Sequence, residues 1–187
     1  SLLVRGQGFA ITTYPAEKEE LRKRITAILL RGAPLSLFDN LVGNFGGEVI
    51  DALLTSPIWS DRVLGESRDV NLPMLTTWYA TGNNVTLVGD TARRVCPIRL
   101  ESPLERPEER VDLRHPDLRG WVCAGRSRLL SAAFTLLRAF HCAGRPDQDL
   151  PTWGSFENWS ALVRNALVWA GVCDPWAGRS ELQEQGD

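Results

Sequence analysis

The sequence predicts an α/β layer on a mostly parallel sheet, followed by a helical C-terminal part. Short β-branched or apolar runs alternate with helix-patterned segments over the first hundred residues, the order that yields parallel strands joined by helical crossovers. One stretch departs from it: "DRVLGESRDVNLP" reads as strand, turn, strand, with Gly65-Glu66-Ser67 at the tip of a hairpin. Past about residue 115 the apolar period becomes helical.

"FAITTY", residues 9–14, is β-branched and aromatic and stops at Pro15, so it reads as a strand. Pro15 and an acidic first turn then open a helix through "AEKEELRKRITAILLRG". Leu21, Ile25, Ile28 and Leu29 share one face of it, and Gly32 is placed to cap its end. "PLSLFDN" follows as a short buried parallel strand ending at an acid. "GGEVIDALLTS" supplies a second helix through Val49, Ile50, Leu53 and Leu54. After the hairpin, "MLTTWYATG" is the strongest strand of the chain. "RRVCPIRL" reads as another, held to an edge or strand end by Pro97. Leu130, Phe134, Leu137 and Phe140 then mark one helix. Phe156, Trp159, Val163, Ala166, Leu167 and Ala170 mark the next, with Ser155 able to cap it. The expected organisation is an α/β core over 1–114, a helical region over 115–175 and a polar tail over 176–187.

With 187 residues and 43% apolar composition, the chain can bury a sizeable core. A net charge of −2 excludes the basic field of a nucleic-acid coating protein and leaves room for DNA contact through a few residues. The basic residues are nearly all arginine, the lysines being Lys18 and Lys23. Cys96, Cys123, Cys142 and Cys173 form no CxxC pair, and with His115 and His141 they give no zinc spacing; two lie in apolar runs and read as buried thiols. No segment is long and apolar enough to span a bilayer and no signal peptide opens the chain, so a cytoplasmic location and no membrane partner are expected. The opening "SLLVRGQGFAITTYP" enters a strand almost at once without an initiator Met, as a piece of a longer protein would.

Polar residues close the expected strands: Asp39-Asn40 after "LSLF" and Asn83-Asn84 after "TTWYATG", with Arg93-Arg94 opening "VCPIRL". Ligands of open α/β sheets sit at the carboxyl edge of the strands. An acid there can organise a magnesium ion, an amide can orient a water, and an arginine from a neighbouring subunit can neutralise charge on a transferring phosphoryl group. Each position also has a structural reading. Asp39 can be a turn or cap residue, Asn83 and Asn84 can supply left-handed turn residues, and the arginine pair can be solvated charge near Glu101, Glu105 and Asp112.

On these residues the chain resembles AAA+ ATPases. "LSLFDN" looks like a Walker B strand, "WYATGNN" like a sensor-1 strand and "GDTARRVCPIRL" like an arginine-finger segment. The order of motifs, with a hairpin before the sensor strand, is most similar to superfamily III helicases and the ATPase halves of phage, plasmid and poxvirus-type primase-helicases. The resemblance covers roughly residues 9–172. It implies a partial P-loop NTPase sheet with a helical lid, ATP and Mg2+ as cofactors, DNA as partner and self-association into a ring. Carried over, Asp39 is the magnesium-organising acid, Asn84 the sensor amide, and Arg93 or Arg94 the finger acting in trans. Arg62 and Arg68, flanking the hairpin tip, are the DNA-facing candidates.

Two departures qualify the expectation. Asn40 stands where many members have a Glu base, and an amide orients water without accepting its proton. The GxxxxGK[ST] phosphate loop is absent, because both lysines sit in a Glu-rich helix with no glycines before them. The expected function is therefore the C-terminal part of a nucleic-acid-dependent ATPase or DNA helicase of mobile-element replication, inactive alone. The alternative is a non-enzymatic α/β interaction or DNA-binding module, or an inert gene fragment.

Overall fold

The computed structural model describes residues 1–8, 10–62 and 68–177, the side chain of residue 108 aside. In chain order the elements are α1 (Leu2–Arg5), β1 (Ile11–Thr13), α2 (Lys18–Leu30), β2 (Leu35–Gly46), α3 (Glu48–Thr55), β3 (Ile58–Arg62), β4 (Asp69–Pro73), β5 (Thr77–Val88), α4 (Leu118–Ala124), α5 (Arg126–Cys142), α6 (Glu157–Trp159) and α7 (Asn165–Trp169). A 3-10 turn, Gly89–Arg93, follows β5, and a π turn, Ser160–Arg164, separates α6 from α7. Among the described residues, 10–95 form one compact unit and 1–8 with 96–177 form another.

The first unit is α/β. Its parallel sheet has the order β1-β2-β5, with β1 paired from Ile11–Leu37 to Thr13–Asp39 and β5 from Leu35–Thr77 to Gly46–Val88. The connections run through α2 and α3, and both helices bury their apolar stripes against the same face of β2. Leu21, Ile25 and Leu29 join Val49, Ile50 and Leu53 over Phe38, Leu41 and Phe45. Two right-handed crossovers stepping the same way across a sheet place their helices in this manner. Trp78 stacks on Phe38 at 5.3 Å and Tyr14 meets its edge at 5.6 Å. The opposite face leaves Ile11, Val42 and Tyr79 exposed. Gly32, at φ 60, closes α2 by donating its N–H to the Leu29 carbonyl at 2.9 Å, as expected of a left-handed cap.

The hairpin forms as expected, β3 pairing antiparallel with β4 from Ile58–Pro73 to Arg62–Asp69. Its base is fastened to α2. The Trp59 indole donates to the Thr26 hydroxyl at 2.9 Å, and that hydroxyl donates to Asp61 at 2.7 Å. Arg22 pairs with Asp61 at 3.4 Å and lies 4.9 Å over the Trp59 ring. Burial alone would raise the Asp61 carboxyl, but hydrogen bonds from Thr26 and the Arg62 N–H and the Arg22 charge bring it below the usual range. The tip with Gly65, Glu66 and Ser67 lies outside the described residues.

Several expectations are corrected. β2 does not stop at Asp39-Asn40, and β5 does not stop at Asn83-Asn84; each runs on to twelve residues. The strand expected at "RRVCPIRL" does not form: Arg93 closes a 3-10 turn, and residues 95–100 are irregular, with Ile98 and Leu100 exposed and, among the described residues, no strand paired with them. All four cysteines are exposed rather than buried.

The second unit is helical. α1, too short to be stable alone, ends in carbonyls held by Arg126, whose Nε and Nη2 donate to Leu3 O and Val4 O at 2.8 and 2.9 Å. Asp117 caps α4 through the Gly120 N–H at 2.9 Å. Ser155 does not cap α6: it sits at φ 69 and its N–H donates to Glu157 at 3.1 Å. The core of this unit is Trp153, packed by Phe156, Trp159 and Trp176 at centroid distances of 4.9, 5.6 and 5.2 Å. Trp176 thus belongs to the core rather than to a tail; residues 178–187 lie outside the described ones. Beside Trp153, Arg164 is only 1% exposed. It donates through Nε and Nη2 to both Asp174 oxygens at 2.7 Å each and through Nη1 to Pro151 O at 2.6 Å. The π turn that ends at Arg164 interrupts the helix at the residue that enters the core. The paired guanidinium holds the Asp174 carboxyl below its ordinary value.

Two outcomes follow from this packing. Gly82 faces Leu41 so closely that a Cβ there would lie 2.6 Å from Leu41 O and 2.8 Å from Leu41 Cβ. Gly82→Ala should cost about 1–3 kcal/mol in urea unfolding, as overpacking does. Because the folded Asp174 carboxyl is depressed, its stabilisation is complete above the unfolded pKa of about 3.9 and is lost as pH falls through the folded value. Asp174→Asn should cost about 3–5 kcal/mol at neutral pH, the effect of breaking a buried pair, and should flatten the acid limb of a stability-versus-pH curve.

Candidate functional site

The sheet is three strands wide only as far as the Thr13–Asp39 rung. Beyond it β2 and β5 continue as a two-stranded parallel ribbon. Two bulges interrupt their pairing. Between the Phe38–Ala80 and Leu41–Gly82 pairs, Asp39 and Asn40 together face Thr81. Between Val42–Asn83 and Asn44–Thr86, Gly43 alone faces Asn84 and Val85. The first adds a residue to β2 and the second adds one to β5, so the register returns to its starting offset. Left-handed residues make the bends: Asn40 at φ 57, Gly43 at φ 73 and Asn84 at φ 51. Asn is the non-glycine residue that tolerates this region best, because its short amide can bond locally.

A single extra residue also exchanges the faces of a strand. Ser36 and Phe38 point into the core before the first bulge, Leu41 and Phe45 after it. The bulge therefore keeps one apolar face against α2 and α3 while taking Asp39 and Asn40 out of the pairing with β5. Thr81 clips it, its hydroxyl donating to Asp39 Oδ1 and accepting the Asn40 N–H at 3.4 Å. Asn40, Thr81, Asn83 and Asn84 are exposed and Asp39 is half-buried. Asn84 lies three residues past Thr81, about 10 Å along the ribbon at 3.3 Å per residue.

Arg93 and Arg94 stand at the far end of this ribbon, past Val88. The turn that carries them is rigidly seated. Thr91 is fully buried and donates to Asp51 Oδ1 at 2.7 Å. Gly46, at φ 137, leaves no room for a Cβ against Thr91 Oγ1 and Val88 O, each 2.6 Å away. Both arginines pair with one oxygen of Asp90, at 2.6 and 3.0 Å. Hydrogen bonds from Arg94 and then Arg93 hold the Asp90 carboxyl below its usual range. The structure thus brings Asp39 and Asn40 together with Thr81 and places Asn84 on the adjacent strand. Gly46 lies seven residues past Asp39, about 20 Å, so the arginine pair is not beside that carboxylate within this chain. Arg62 and Arg68 are exposed at the ends of β3 and β4; the Arg62 N–H donates to Asp61 at 2.9 Å.

Thr81 and Asp90 escaped the reading of the sequence. The Asp90 spacing of three and four residues to the two arginines is a signal for local ion pairs. The role of Thr81 shows only once the strands are paired. A pocket of about 250 Å³ lies at the carboxyl ends of β1 and β2, lined by Tyr14, Lys18, Asn44, Gly46 and Glu48. Lys18 and Glu48 of this lining pair with each other at 3.2 Å. The acidic first turns of α2 and α3 there occupy the helix N-termini an anion would use. Among the described residues no group of three or more His, Cys, Asp or Glu is placed to hold a metal, and no helix is long and apolar enough to cross a membrane.

No protein-family model matches the chain, and no curated protein or solved structure matches it either.

The bulge geometry separates conformation from chemistry at Asn84. Asn84→Gly should leave urea stability within a few tenths of a kcal/mol, because glycine adopts φ 51 freely, whereas Asn84→Val should cost about 1–2 kcal/mol.

Proposed function

We propose that this chain is the sensor, arginine and helical portion of a nucleic-acid-dependent ATPase similar to the superfamily III helicases, with a P-loop NTPase sheet completed outside these residues. The observation that carries this reading is the presence of Asp39 and Asn84 on adjacent parallel strands, each at a bulge that interrupts the pairing of β2 with β5. Bulges recur next to active sites because they re-aim side chains.

In this reading Asp39 contributes one carboxylate to Mg2+. That ion commonly takes one or two carboxylates and completes its shell with phosphates and water, a donor set that a lone half-buried aspartate fits. Bound there, the ion would neutralise charge on the phosphoryl oxygens. Thr81 fixes the Asp39 rotamer through its hydroxyl. Asn84 orients the attacking water, and Arg93 or Arg94 reaches the nucleotide of a neighbouring subunit in a ring, which suits their distance from Asp39 in their own chain. The hairpin, anchored to α2 by Trp59, Thr26, Asp61 and Arg22, presents Arg62 and Arg68 to DNA.

The 187 residues hold no GxxxxGK[ST], so the phosphate cradle has to come from elsewhere in the protein, and this chain alone neither binds ATP tightly nor hydrolyses it. Micromolar ATP affinity of the isolated chain by calorimetry would contradict that. In the intact protein, Asn84→Gly should lower kcat on the order of 10²-fold while leaving stability unchanged, and Arg93→Ala with Arg94→Ala should lower it at least as much. Wild-type turnover in both variants would reject the reading.

A further inference from the structure

Arg94 is the most informative unsatisfied group outside the packed cores. Its side chain is 15% exposed, yet its Nε is buried without a hydrogen-bond partner among the described residues. Its Nη2 shares Asp90 Oδ2 with Arg93, whose side chain is 58% exposed. Of the five N–H donors each guanidinium carries, one from each arginine thus converges on a single oxygen of one half-exposed carboxylate. The backbone beneath is fixed: Thr91 is buried against Asp51, and Gly46 admits no Cβ beside it. What can move is the Asp90 side chain, because exposed ion pairs of this kind are held by little.

We propose that the Gly89–Arg93 turn with Arg94 forms a phosphate-oxyanion site, and that Asp90 occupies it as an internal stand-in, holding the two arginines in place and neutralised until a phosphate group displaces it. A phosphate offers three acceptor oxygens where Asp90 presents one, enough to serve both guanidinium forks and the orphaned Arg94 Nε together. Asp51 does not compete for the arginines, because its Oδ1 accepts from the buried Thr91 hydroxyl on the inner side of the turn. Asp90 is a positioning residue in this account. Its role deepens the ATPase reading, since it concerns the same arginine pair, but its test needs no ATP turnover.

The test titrates the full 187-residue chain with inorganic pyrophosphate and, separately, with a single-stranded oligothymidylate, measuring each affinity by isothermal titration calorimetry. Wild type should respond weakly. Asp90→Asn should bind on the order of tenfold more tightly, as removal of a competing charge does, and adding Arg94→Gln should abolish the gain. Asp90→Ser, which removes the same charge with a shorter side chain, should behave alike, and circular dichroism checks that each variant is folded. A gain with pyrophosphate identifies a nucleotide-type phosphate, and a gain with the oligonucleotide alone identifies a nucleic-acid backbone; either upholds the site. Equal affinities of wild type and both Asp90 variants for both probes, or a gain that survives Arg94→Gln, overturns it. If the gain appears while the intact protein keeps full turnover without Arg93 and Arg94, the ATPase reading falls and the oxyanion site stands.

Discussion

The α/β unit depends on β2 keeping one face apolar against two helices over its whole length. Phe38, Leu41 and Phe45 supply that face, and α2, α3 and the Trp59 end of the hairpin all close over it. A strand with strict alternation would put Leu41 on the wrong side after Phe38. The extra residue at Asp39-Asn40 restores the phase, and the one at Asn84-Val85 lets β5 follow with Val85 and Leu87 inward. The polar residues that invite a functional reading are therefore also the ones that solve a packing problem. Thr81 belongs to both accounts, holding Asp39 and fastening the bulge.

The same economy appears in the turn after β5. Thr91 and Gly46 seat the turn against α3 and the end of β2, and the seating leaves Arg93, Arg94 and Asp90 to interact at the surface. In the helical unit the burial of Arg164 among tryptophans binds the segment around Asp174 and Trp176 to the helix that carries the π turn. A buried guanidinium of this kind contributes little net stability over an apolar packing of equal volume, but it penalises any arrangement that leaves it unpaired.

Much of this architecture was legible in the sequence, and the exceptions have physical causes. α2 and α3 were readable because their apolar period and caps are local properties, as at Leu21, Ile25, Leu29 and Gly32. The hairpin was readable from its turn residues. The lengths of β2 and β5 were not, because a left-handed asparagine inside a strand looks like the turn that ends one. "RRVCPIRL" has the composition of a strand, but a strand also needs a partner, which no local pattern reveals. No local pattern marks Arg164 as buried; its burial depends on Asp174 and on the π turn that ends at it. Of the candidate site, Asp39 and Asn84 were identified as positions, while their clip and their distance from the arginine pair required the pairing of strands.

The two inserted residues cancel one another, and this makes them a matched set in geometry. Deleting the extra residue from β2 alone would slide Asn44, Phe45 and Gly46 one step against β5 and lift Gly46 away from Thr91. Deleting it from β5 alone would do the reverse. A chain that lost one insertion could therefore keep Gly46 beneath the arginine turn only by losing the other as well.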